Sequence, residues 1–539
     1  MKIALALAFV LFQTAHAQTP PAVRLVNGAS QLIVQGKPFL ALGGELGNSS
    51  AGTAAQADAI LPRLAQLHFN TVLTPVAWDE IEPTEGHFDF SIPDHWIAVA
   101  RQQNLHLVFL WFGSWKNAFS EYAPAWVLSD AKRFPREISA EGVPLEILSP
   151  LGEQTAQCDS RAFAALLRHV RDEDAADQTV LMVQVENEIG FLGLGGRDRS
   201  PEANRLFAAA VPPRLVQALE HHRDQLPQPL AAQLNLSGRT WSEVFGSSAD
   251  EMFMAWSYGL FAEQVAAAGK REYALPLYMN AQLPAPFETA GEYPAGGPYP
   301  SVQAIYRVAA PSIDFYAPDI YWPDFEQWIQ RYRAAGNPVF VPEARGDVAP
   351  FNALYTLGEA RGFGFSPFAV DSLPAAGAPI APDQPGPRLG DEYALLSQMS
   401  GLILDAQQNN RVRALVLHET SLRPSQTVAL GGFLFRSSLA RGWPARNLSE
   451  KDGAMMVLET APGEFYVLGC GLSVTISRDP DTDDRIAGIA GVEEGSFSDG
   501  AWVTEHVLNG DQTDQGRQLL MDPHAFHVYK VRLYTYTRN

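Results

Sequence analysis

Apolar runs bounded by turn-forming residues recur along the first 370 residues of the chain. Eight of these runs are rich in β-branched and aromatic residues and predict strands. The predicted strands are residues 39–46, 70–78, 106–113, 180–188, 275–282, 314–321, 338–345 and 362–370. Residues between them show helical periodicity, as at 54–67, 160–171 and 325–335. Eight strands that alternate with helices predict a (β/α)8 TIM barrel, an α/β fold.

The pattern changes after the eighth strand. Residues 371–388 are rich in Pro, Ala and Gly and predict a surface loop, and residues 391–407 have the period of a helix that closes the barrel. Beyond residue 411, short alternating runs separated by Pro-Gly and Asn-Gly pairs predict an antiparallel β-sandwich. We therefore predict a barrel domain over residues 20–411 and a β-sandwich domain over residues 412–539.

Two of the predicted strands end in carboxylates. Asn187 and Glu188 end the fourth strand, and Glu343 ends the seventh. In a barrel, all strands point their C-terminal ends at one face, so these glutamates are expected to meet there. The residues before each glutamate are nearly all apolar, as in strands covered on both faces. A glutamate that follows such an apolar strand is less well explained as a solvated surface carboxylate or a salt-bridge partner than as a catalytic residue.

A pair of carboxyl groups on one barrel face can hydrolyse a glycosidic bond. The two groups stand about 5 to 5.5 Å apart in retaining enzymes and about 6.5 to 9.5 Å apart in inverting ones. Apolar neighbours such as Val185 and Ile189 are expected to raise the pKa of Glu188, which makes it the candidate general acid. Arg345 follows Glu343 by two residues and is expected to keep it ionised as the nucleophile.

The composition and charge of the chain limit the classes of partner that it can bind. Hydrophobic residues make up 46% of the chain and charged residues 18%, which is typical of a globular protein. The formal net charge is −21, so nucleic acids and anionic membranes are disfavoured, whereas a neutral oligosaccharide is a compatible partner. We predict no membrane span after the N-terminal segment. The oligomeric state stays open, with a homodimer as one alternative.

The N-terminus has one positive charge, a short apolar core and an Ala-His-Ala site, which predicts a secretory signal peptide over residues 1–17. We therefore expect a secreted or periplasmic protein. Cys158 and Cys470 are the two cysteines, and whether they pair is left open, with two buried thiols as the favoured alternative. The histidines show no metal-ligand spacing, so we predict neither a metal nor a cofactor.

Several of these segments resemble the β-galactosidases of glycoside hydrolase family 35, retaining (β/α)8 enzymes with their catalytic residues after strands four and seven. Gly43-Gly44-Glu45-Leu46 is similar to a Gly-Glu motif of that family, and residues 78–90 resemble its strand-two region. Asn187-Glu188 matches the signature of the wider clan. Residues 110–117, after strand three, depart from the long members of the family and look more like family 42 galactosidases or a compact bacterial branch of family 35.

The resemblance implies roles for further residues. Asn187 would bond the sugar 2-hydroxyl, with a turn-forming role as the alternative. Tyr321, which ends strand six, would contact the nucleophile, with structural packing as the alternative. Glu45 and Asn117 are candidates for binding sugar hydroxyls, with loop fixation as the alternative. Trp115, with Trp78 and Trp322, is a candidate stacking platform for a sugar ring, with core packing as the alternative.

Together, these features predict a retaining exo-β-galactosidase that acts on oligosaccharides, with xyloglucan or galactan fragments as candidate sources. Another β-glycosidase or an endo-glucanase of the same clan is the first alternative. A non-catalytic sugar-binding barrel is the second. The presence of both Glu188 and Glu343 speaks against the second alternative.

Overall fold

The computed structural model describes residues 19–223, 226, 228–377, 389–418, 425–440, 452–480, 485–522 and 524–537. The predicted signal peptide lies outside these residues. The first fourteen strands are β1 (Ala22–Val26), β2 (Ala29–Val34), β3 (Lys37–Phe39), β4 (Ala41–Glu45), β5 (Thr71–Ala77), β6 (His106–Phe112), β7 (Arg136–Ile138), β8 (Pro144–Leu148), β9 (Val180–Val185), β10 (Leu277–Gln282), β11 (Phe315–Ile320), β12 (Phe340–Val341), β13 (Glu343–Ala344) and β14 (Gly364–Phe365).

Fourteen α-helices lie in the described chain. They are α1 (Ala54–Gln66), α2 (Trp78–Ile81), α3 (Ser91–Gln102), α4 (Ala125–Leu128), α5 (Glu153–Asp174), α6 (Pro201–Phe207), α7 (Pro213–His221), α8 (Gln228–Gln233), α9 (Trp241–Phe245), α10 (Ala249–Glu272), α11 (Gln303–Ala309), α12 (Phe325–Ala334), α13 (Ala349–Leu357) and α14 (Leu389–Gln408). Most long helices bury one apolar stripe against the strands, as α1 does with Ile60, Leu61 and Leu64.

Parallel strands close into a barrel in the order β12, β14, β4, β5, β6, β9, β10, β11, β13. β12 and β13 are two halves of one strand, interrupted at Pro342, which has no N–H to donate to a neighbour. β12 pairs with β14 and β13 pairs with β11, so the interrupted strand completes the ring. All eight predicted strands are present, and the (β/α)8 fold class is confirmed.

Strand composition follows from this architecture. Every residue of β5 and of β9 is buried, as expected for parallel strands with side chains inside the barrel on one face and helices on the other. Leu32 and Val34 of β2 join the apolar core inside the barrel. The small β1–β3 sheet therefore closes one end of the barrel.

The rest of the chain forms two antiparallel sheets. Their strands are β15 (Val412–His418), β16 (Ser425–Leu430), β17 (Phe433–Leu439), β18 (Asp452–Ala461), β19 (Glu464–Cys470), β20 (Leu472–Arg478), β21 (Arg485–Ser498), β22 (Ala501–Leu508), β23 (Gln518–Leu520) and β24 (His527–Thr537). The six-stranded sheet runs β15, β18, β19, β24, β21, β22, and the four-stranded sheet runs β16, β17, β20, β23. Side chains such as Phe435, Val457 and Val531 share one core between them. The predicted antiparallel second domain is confirmed as a fold class.

The outer face of the six-stranded sheet packs against the barrel. Met456, Tyr466 and Val528 from this face belong to the same apolar core as the helices of the barrel. Cys158 and Cys470 are both buried, and no disulfide joins them. In the part of the chain that the structure describes, no helix combines the length and apolar character needed to cross a membrane.

Candidate active site

Four carboxylates from different barrel strands are buried at the C-terminal end of the barrel. Glu45 ends β4, Glu188 follows β9, Asp319 lies in β11 and Glu343 begins β13. Each is at most 6% exposed. One carboxylate oxygen from each of Glu188, Asp319 and Glu343 lies within 4.8 Å of the other two. The strand order thus brings together the two glutamates that the sequence singles out.

The backbone turns sharply after β9. Glu186 and Glu188 have φ angles of 59° and 46°, in the left-handed region that residues with a Cβ rarely adopt. The Glu188 N–H donates to Asn280 Oδ1 at 2.9 Å, and Asn280 Nδ2 donates to Asp319 Oδ2 at 2.6 Å. Asn280 therefore fixes Glu188 relative to Asp319, and this tertiary contact holds the strained turn in place.

Asn187 faces a lysine on the neighbouring loop. Lys116 Nζ donates to Asn187 Oδ1 at 3.0 Å and to Asn117 Oδ1 at 2.6 Å. The Asn117 N–H also donates to Asn187 Oδ1, at 3.3 Å. Asn187 Nδ2 is buried and has no hydrogen-bond partner among the described residues. That amide is available to a ligand hydroxyl, and Asn117 is itself exposed.

Glu343 interacts with a tyrosine and with a second glutamate. The Tyr321 hydroxyl donates to Glu343 Oε1 in a short contact. Burial, followed by the charge of Glu343, raises the pKa of Tyr321, so the phenol keeps its proton. Burial also raises the pKa of Glu45 well above its usual range, and a hydrogen bond with Glu343 adds to the shift. A protonated Glu45 and Tyr321 can therefore both stabilise a negative charge on Glu343.

The closely spaced, buried carboxyls also determine the pKa of Glu188. Burial, and then the charge of Glu343, raises the pKa of Glu188 to about 7, against the lowering effects of Lys116 and of a hydrogen bond with Asp319. Burial and the charges of its neighbours raise the pKa of Asp319 well above its usual range. Burial and mutual repulsion thus favour the protonated forms of Glu45, Glu188 and Asp319.

Several buried polar atoms of this cluster lack a hydrogen-bond partner among the described residues. They are Glu45 Oε1, Asn187 Nδ2, Asp319 Oδ1 and Glu343 Oε2. Leaving a buried polar group unsatisfied costs about 1–3 kcal/mol, so several such atoms around one point call for a ligand that supplies many hydrogen bonds. A sugar ring, with hydroxyls on most of its carbons, meets that requirement.

The oxygens of Glu188, Asp319 and Glu343 are also close enough to hold a metal ion. A hard cation such as Ca²⁺ takes six to eight oxygen ligands, and Mg²⁺ takes six. Three side chains alone fall short of that number, and the raised pKa values of Glu188 and Asp319 suit protons better than such a cation. The absence of a catalytic metal stays a prediction of the sequence.

A second carboxyl pair lies directly beneath the site. Glu186 and Asp159 are both fully buried and share a hydrogen bond. Asp159 accepts from Trp111 Nε1 at 2.9 Å and from the Ser114 hydroxyl at 2.6 Å, and Glu186 Oε2 accepts from the Trp115 N–H at 2.9 Å. Burial, and then the charge of Asp159, raises the pKa of Glu186 well above its usual range. The pair joins the start of the Lys116 loop to the turn that carries Glu188.

Gly113 packs against this pair, so a side chain there is expected to destabilise the fold. An added Cβ would lie 2.8 Å from Asp159 Oδ2 and from Glu186 Oε1, and closer still to Trp111 Nε1. We expect Gly113→Ala to lower the free energy of unfolding by about 1–3 kcal/mol. Gly401→Ala, in α14 with open space around it, is the control and should be neutral or stabilising. Urea unfolding measures both, and equal stability of the two variants would contradict the packing argument.

The structure corrects two expectations. Trp115 has no exposed surface, because its ring packs edge-on against Tyr258 and Phe261 and its Nε1 donates to the Leu148 carbonyl. It is a core residue and offers no platform to a sugar. Arg345 forms an ion pair with Asp347 and lies beyond the end of β13. The cation whose charge acts on the carboxyl cluster is Lys116 instead.

The two other candidate stacking tryptophans differ in how deeply they are buried. Trp78 is fully buried and donates to Glu82, as the core alternative describes. Trp322 is half-buried and donates to the Leu283 carbonyl. Lys116, Asn280 and Asp319 also belong to the site, although the sequence pattern does not single them out. For Asn280 and Asp319 a signal exists in the sequence. Each is a polar residue inside an apolar strand, at residues 277–282 and 315–320.

Two family models match parts of the chain. Residues 50–221 match the model of glycoside hydrolase family 42, described as "Beta-galactosidase". Residues 389–520 match a "Domain of unknown function (DUF5597)". The first match supports a glycosidase of the (β/α)8 clan and a β-galactosidase type, and it is to family 42 and not to the predicted family 35. It includes Glu188 and ends before Glu343.

A β-amylase, a β-galactosidase and a β-mannanase are among the solved structures that the chain resembles. The catalytic domain of β-amylase from Paenibacillus polymyxa is 13% identical, with a TM-score of 0.46 over 66% of this chain and 98% of that one. The β-galactosidase from the psychrophilic Marinomonas ef1 is 14% identical, with a TM-score of 0.43 over 68% of this chain and 60% of that one. The β-mannanase from the blue mussel Mytilus edulis is 12% identical, with a TM-score of 0.41 over 71% of this chain and 97% of that one. No curated protein sequence matches the chain.

Proposed function

We propose that the protein is a retaining exo-β-galactosidase, with Glu188 as acid/base and Glu343 as nucleophile. The observation that carries the proposal is the meeting of these two glutamates, with oxygens within 4.8 Å, among buried polar atoms that have no hydrogen-bond partner in the described part of the chain. This closeness favours the short carboxyl separation of retaining enzymes over the wider gap that admits water in inverting ones. The galactose preference rests on the family 42 match. Exo action on exported plant-type oligosaccharides rests on the sequence resemblance and the predicted signal peptide.

The first step would form a bond between Glu343 and the sugar. A Glu343 oxygen attacks the anomeric carbon while the bond from that carbon to the glycosidic oxygen breaks. The departing oxygen takes the proton of Glu188, so the leaving group departs as an alcohol and Glu188 becomes a carboxylate. Asn187 Nδ2, which has no hydrogen-bond partner among the described residues, would donate to a hydroxyl of the same sugar.

The second step would release the sugar. The Glu188 carboxylate takes a proton from water, and the water oxygen attacks the anomeric carbon as the bond to Glu343 breaks. Glu188 is then protonated and Glu343 ionised, as at the start. As Glu343 regains its charge, Tyr321 and the protonated Glu45 donate to it. Two inversions at the anomeric carbon give net retention.

The pH dependence of the reaction should follow Glu188. Because the free enzyme needs this group protonated, kcat/KM should fall as pH rises above about 7. Lys116 lowers the pKa of Glu188, so Lys116→Met should raise that pKa and move the alkaline limb to higher pH, even as the rate falls. Profiles of kcat/KM against pH for both proteins test this. An alkaline limb that stays in place or moves to lower pH would contradict the role of Lys116.

A panel of aryl β-glycosides tests the sugar assignment. We expect the purified protein to hydrolyse the β-galactoside well above the β-glucoside and the β-mannoside, and to release monosaccharide from an oligosaccharide. Cleavage of a different glycoside would replace the sugar and keep the enzyme class. Oligosaccharide binding without turnover would support the sugar-binding alternative and contradict the enzymatic proposal.

A further inference from the structure

Two buried aspartates near the C-terminal face of the barrel have opposite surroundings. Asp198, in the loop after β9, accepts four hydrogen bonds, two from backbone N–H groups and two from serine hydroxyls. Asp319 accepts one hydrogen bond from the described residues, which Asn280 Nδ2 donates to its Oδ2 at 2.6 Å. Its Oδ1 is buried and has no hydrogen-bond partner among them. Because donors stabilise an ionised carboxylate, Asp319 lacks what the charged form requires.

The Asn280 amide determines which oxygen of Asp319 is free to carry a proton. A backbone N–H can only donate, so the Asn280 atom that accepts from the Glu188 N–H at 2.9 Å is the amide oxygen. The other atom is then the amide nitrogen, which donates to Asp319 Oδ2. Oδ2 is therefore occupied as an acceptor, and Oδ1 is left for the proton.

The neighbours of Asp319 supply no other donor among the described residues. The Tyr321 hydroxyl donates to Glu343, the Tyr332 hydroxyl donates to the Pro298 carbonyl, and the Tyr278 hydroxyl has no hydrogen-bond partner. Lys116 acts through its charge on Glu45 and Glu188. The titratable groups around Asp319 are thus Glu45 on β4, Glu188 after β9, Tyr278 on β10, Tyr321 after β11, Tyr332 on α12 and Glu343 on β13.

Glu188 and Glu343 are the carboxyls in closest reach. Asp319 is the register partner of Glu343 in the pairing of β11 with β13, and oxygens of Glu188, Asp319 and Glu343 lie within 4.8 Å of one another. Burial, followed by the charges of Glu343 and Glu188, raises the pKa of Asp319 well above its usual range. A hydrogen bond between Asp319 and Glu188 raises the pKa of Asp319 further and lowers that of Glu188. These opposite effects identify Asp319 as the donor and Glu188 as the acceptor.

We propose that Asp319 is a neutral carboxylic acid whose Oδ1–H donates to Glu188, and that it acts as a positioning residue for the acid/base. The inference rests on the proposed function. One Glu188 oxygen would accept from Asp319 in both steps, while the other oxygen gives its proton to the leaving group and regains one from water. Asp319 itself would neither gain nor lose a proton during turnover.

Two substitutions separate a neutral donor from a charged carboxylate. Asp319→Asn keeps an acceptor for Asn280 and an N–H donor for Glu188, whereas Asp319→Ala removes both. With an aryl β-galactoside, we expect kcat/KM of Asp319→Asn to stay within about fivefold of wild type and that of Asp319→Ala to fall about tenfold or more. The alkaline limb of kcat/KM should stay in place for Asp319→Asn and move up by about one pH unit for Asp319→Ala.

A charged Asp319 would give the opposite sign. Its negative charge would raise the pKa of Glu188, so both substitutions would move the alkaline limb to lower pH, and that result would overturn the inference. Equal losses of activity in the two variants with an unmoved limb would leave Asp319 a packing role and would overturn it as well.

Urea unfolding at several pH values tests the state of Asp319 without turnover. A pKa that is higher in the folded state costs stability as pH rises, so Asp319→Asn should gain stability relative to wild type between about pH 5 and pH 8, by at most about tenfold in the unfolding constant per pH unit. The matched control is Asp198→Asn, which should be less stable than wild type because its NH2 group would face donors.

The stability curves also separate this inference from the proposed function. A difference between Asp319→Asn and wild type that does not change with pH, or that shrinks as pH rises, would overturn the neutral acid. If the protein hydrolysed no glycoside, the proposed function would fail, and the same curves would still decide whether Asp319 holds a proton.

Discussion

Glu343→Ala is expected to lower kcat/KM for an aryl β-galactoside by about 10⁴-fold or more, because the variant has no group to attack the anomeric carbon. Sodium azide should restore part of the rate, since the small anion fits the space of the missing carboxylate. Azide would attack from the face that Glu343 uses, so the product should be the α-galactosyl azide. Rates with and without azide, and NMR of the product, measure this.

The control for this variant is Glu121→Ala. Glu121 is an exposed glutamate in the loop after β6, on the same face of the barrel. Its loss should leave kcat/KM within about twofold of wild type, as is usual for surface positions. Full activity of Glu343→Ala, or a β-galactosyl azide as its product, would contradict the nucleophile assignment.

Glu188→Ala is expected to have an effect that depends on the leaving group. A galactoside whose leaving group is a sugar needs the proton, so its kcat/KM should fall by about 10²–10⁴-fold. An activated dinitrophenyl galactoside leaves without help and should form the glycosyl-enzyme at a rate close to that of wild type. Because the second step then lacks its base, azide should accelerate turnover and give the β-galactosyl azide.

Two further measurements distinguish the loss of general-acid catalysis from a loss of stability in this variant. The alkaline limb near pH 7 should disappear from the profile of the variant, since it belongs to Glu188. The free energy of unfolding should not fall, because the deleted carboxyl is buried at an energetic cost. Equal losses on both classes of galactoside would contradict the assignment of Glu188 as acid.

The barrel and its two central glutamates could be predicted because buried parallel strands are continuously apolar. β9 and β5 stand out for that reason, and a charged residue at the end of such a strand must face the open end of the barrel. Parts of the second domain have the opposite character. β22 is exposed along most of its length and β21 contains three glycines, so neither shows a regular alternation.

The surroundings of the glutamates depend on contacts that a sequence pattern does not encode. Trp115 and Lys116 are neighbours after β6, yet the tryptophan packs in the core and the lysine reaches Asn187. Arg345 is two residues from Glu343, but β13 ends at Ala344 and the arginine turns away to Asp347. Asp319 can be recognised as a site residue only from the structure, which shows that β11 pairs with β13.

In the proposed mechanism, Glu343 carries the sugar during turnover. The most direct test is to incubate the protein with 2-deoxy-2-fluoro-β-galactosyl fluoride, which forms the glycosyl-enzyme quickly and releases it slowly, and to locate the label by peptide mass spectrometry. We predict one fluorogalactosyl group per protein, on Glu343, and recovery of activity as it is released. Inactivation with the label on another residue, or hydrolysis of galactosides with no covalent adduct, would contradict the account.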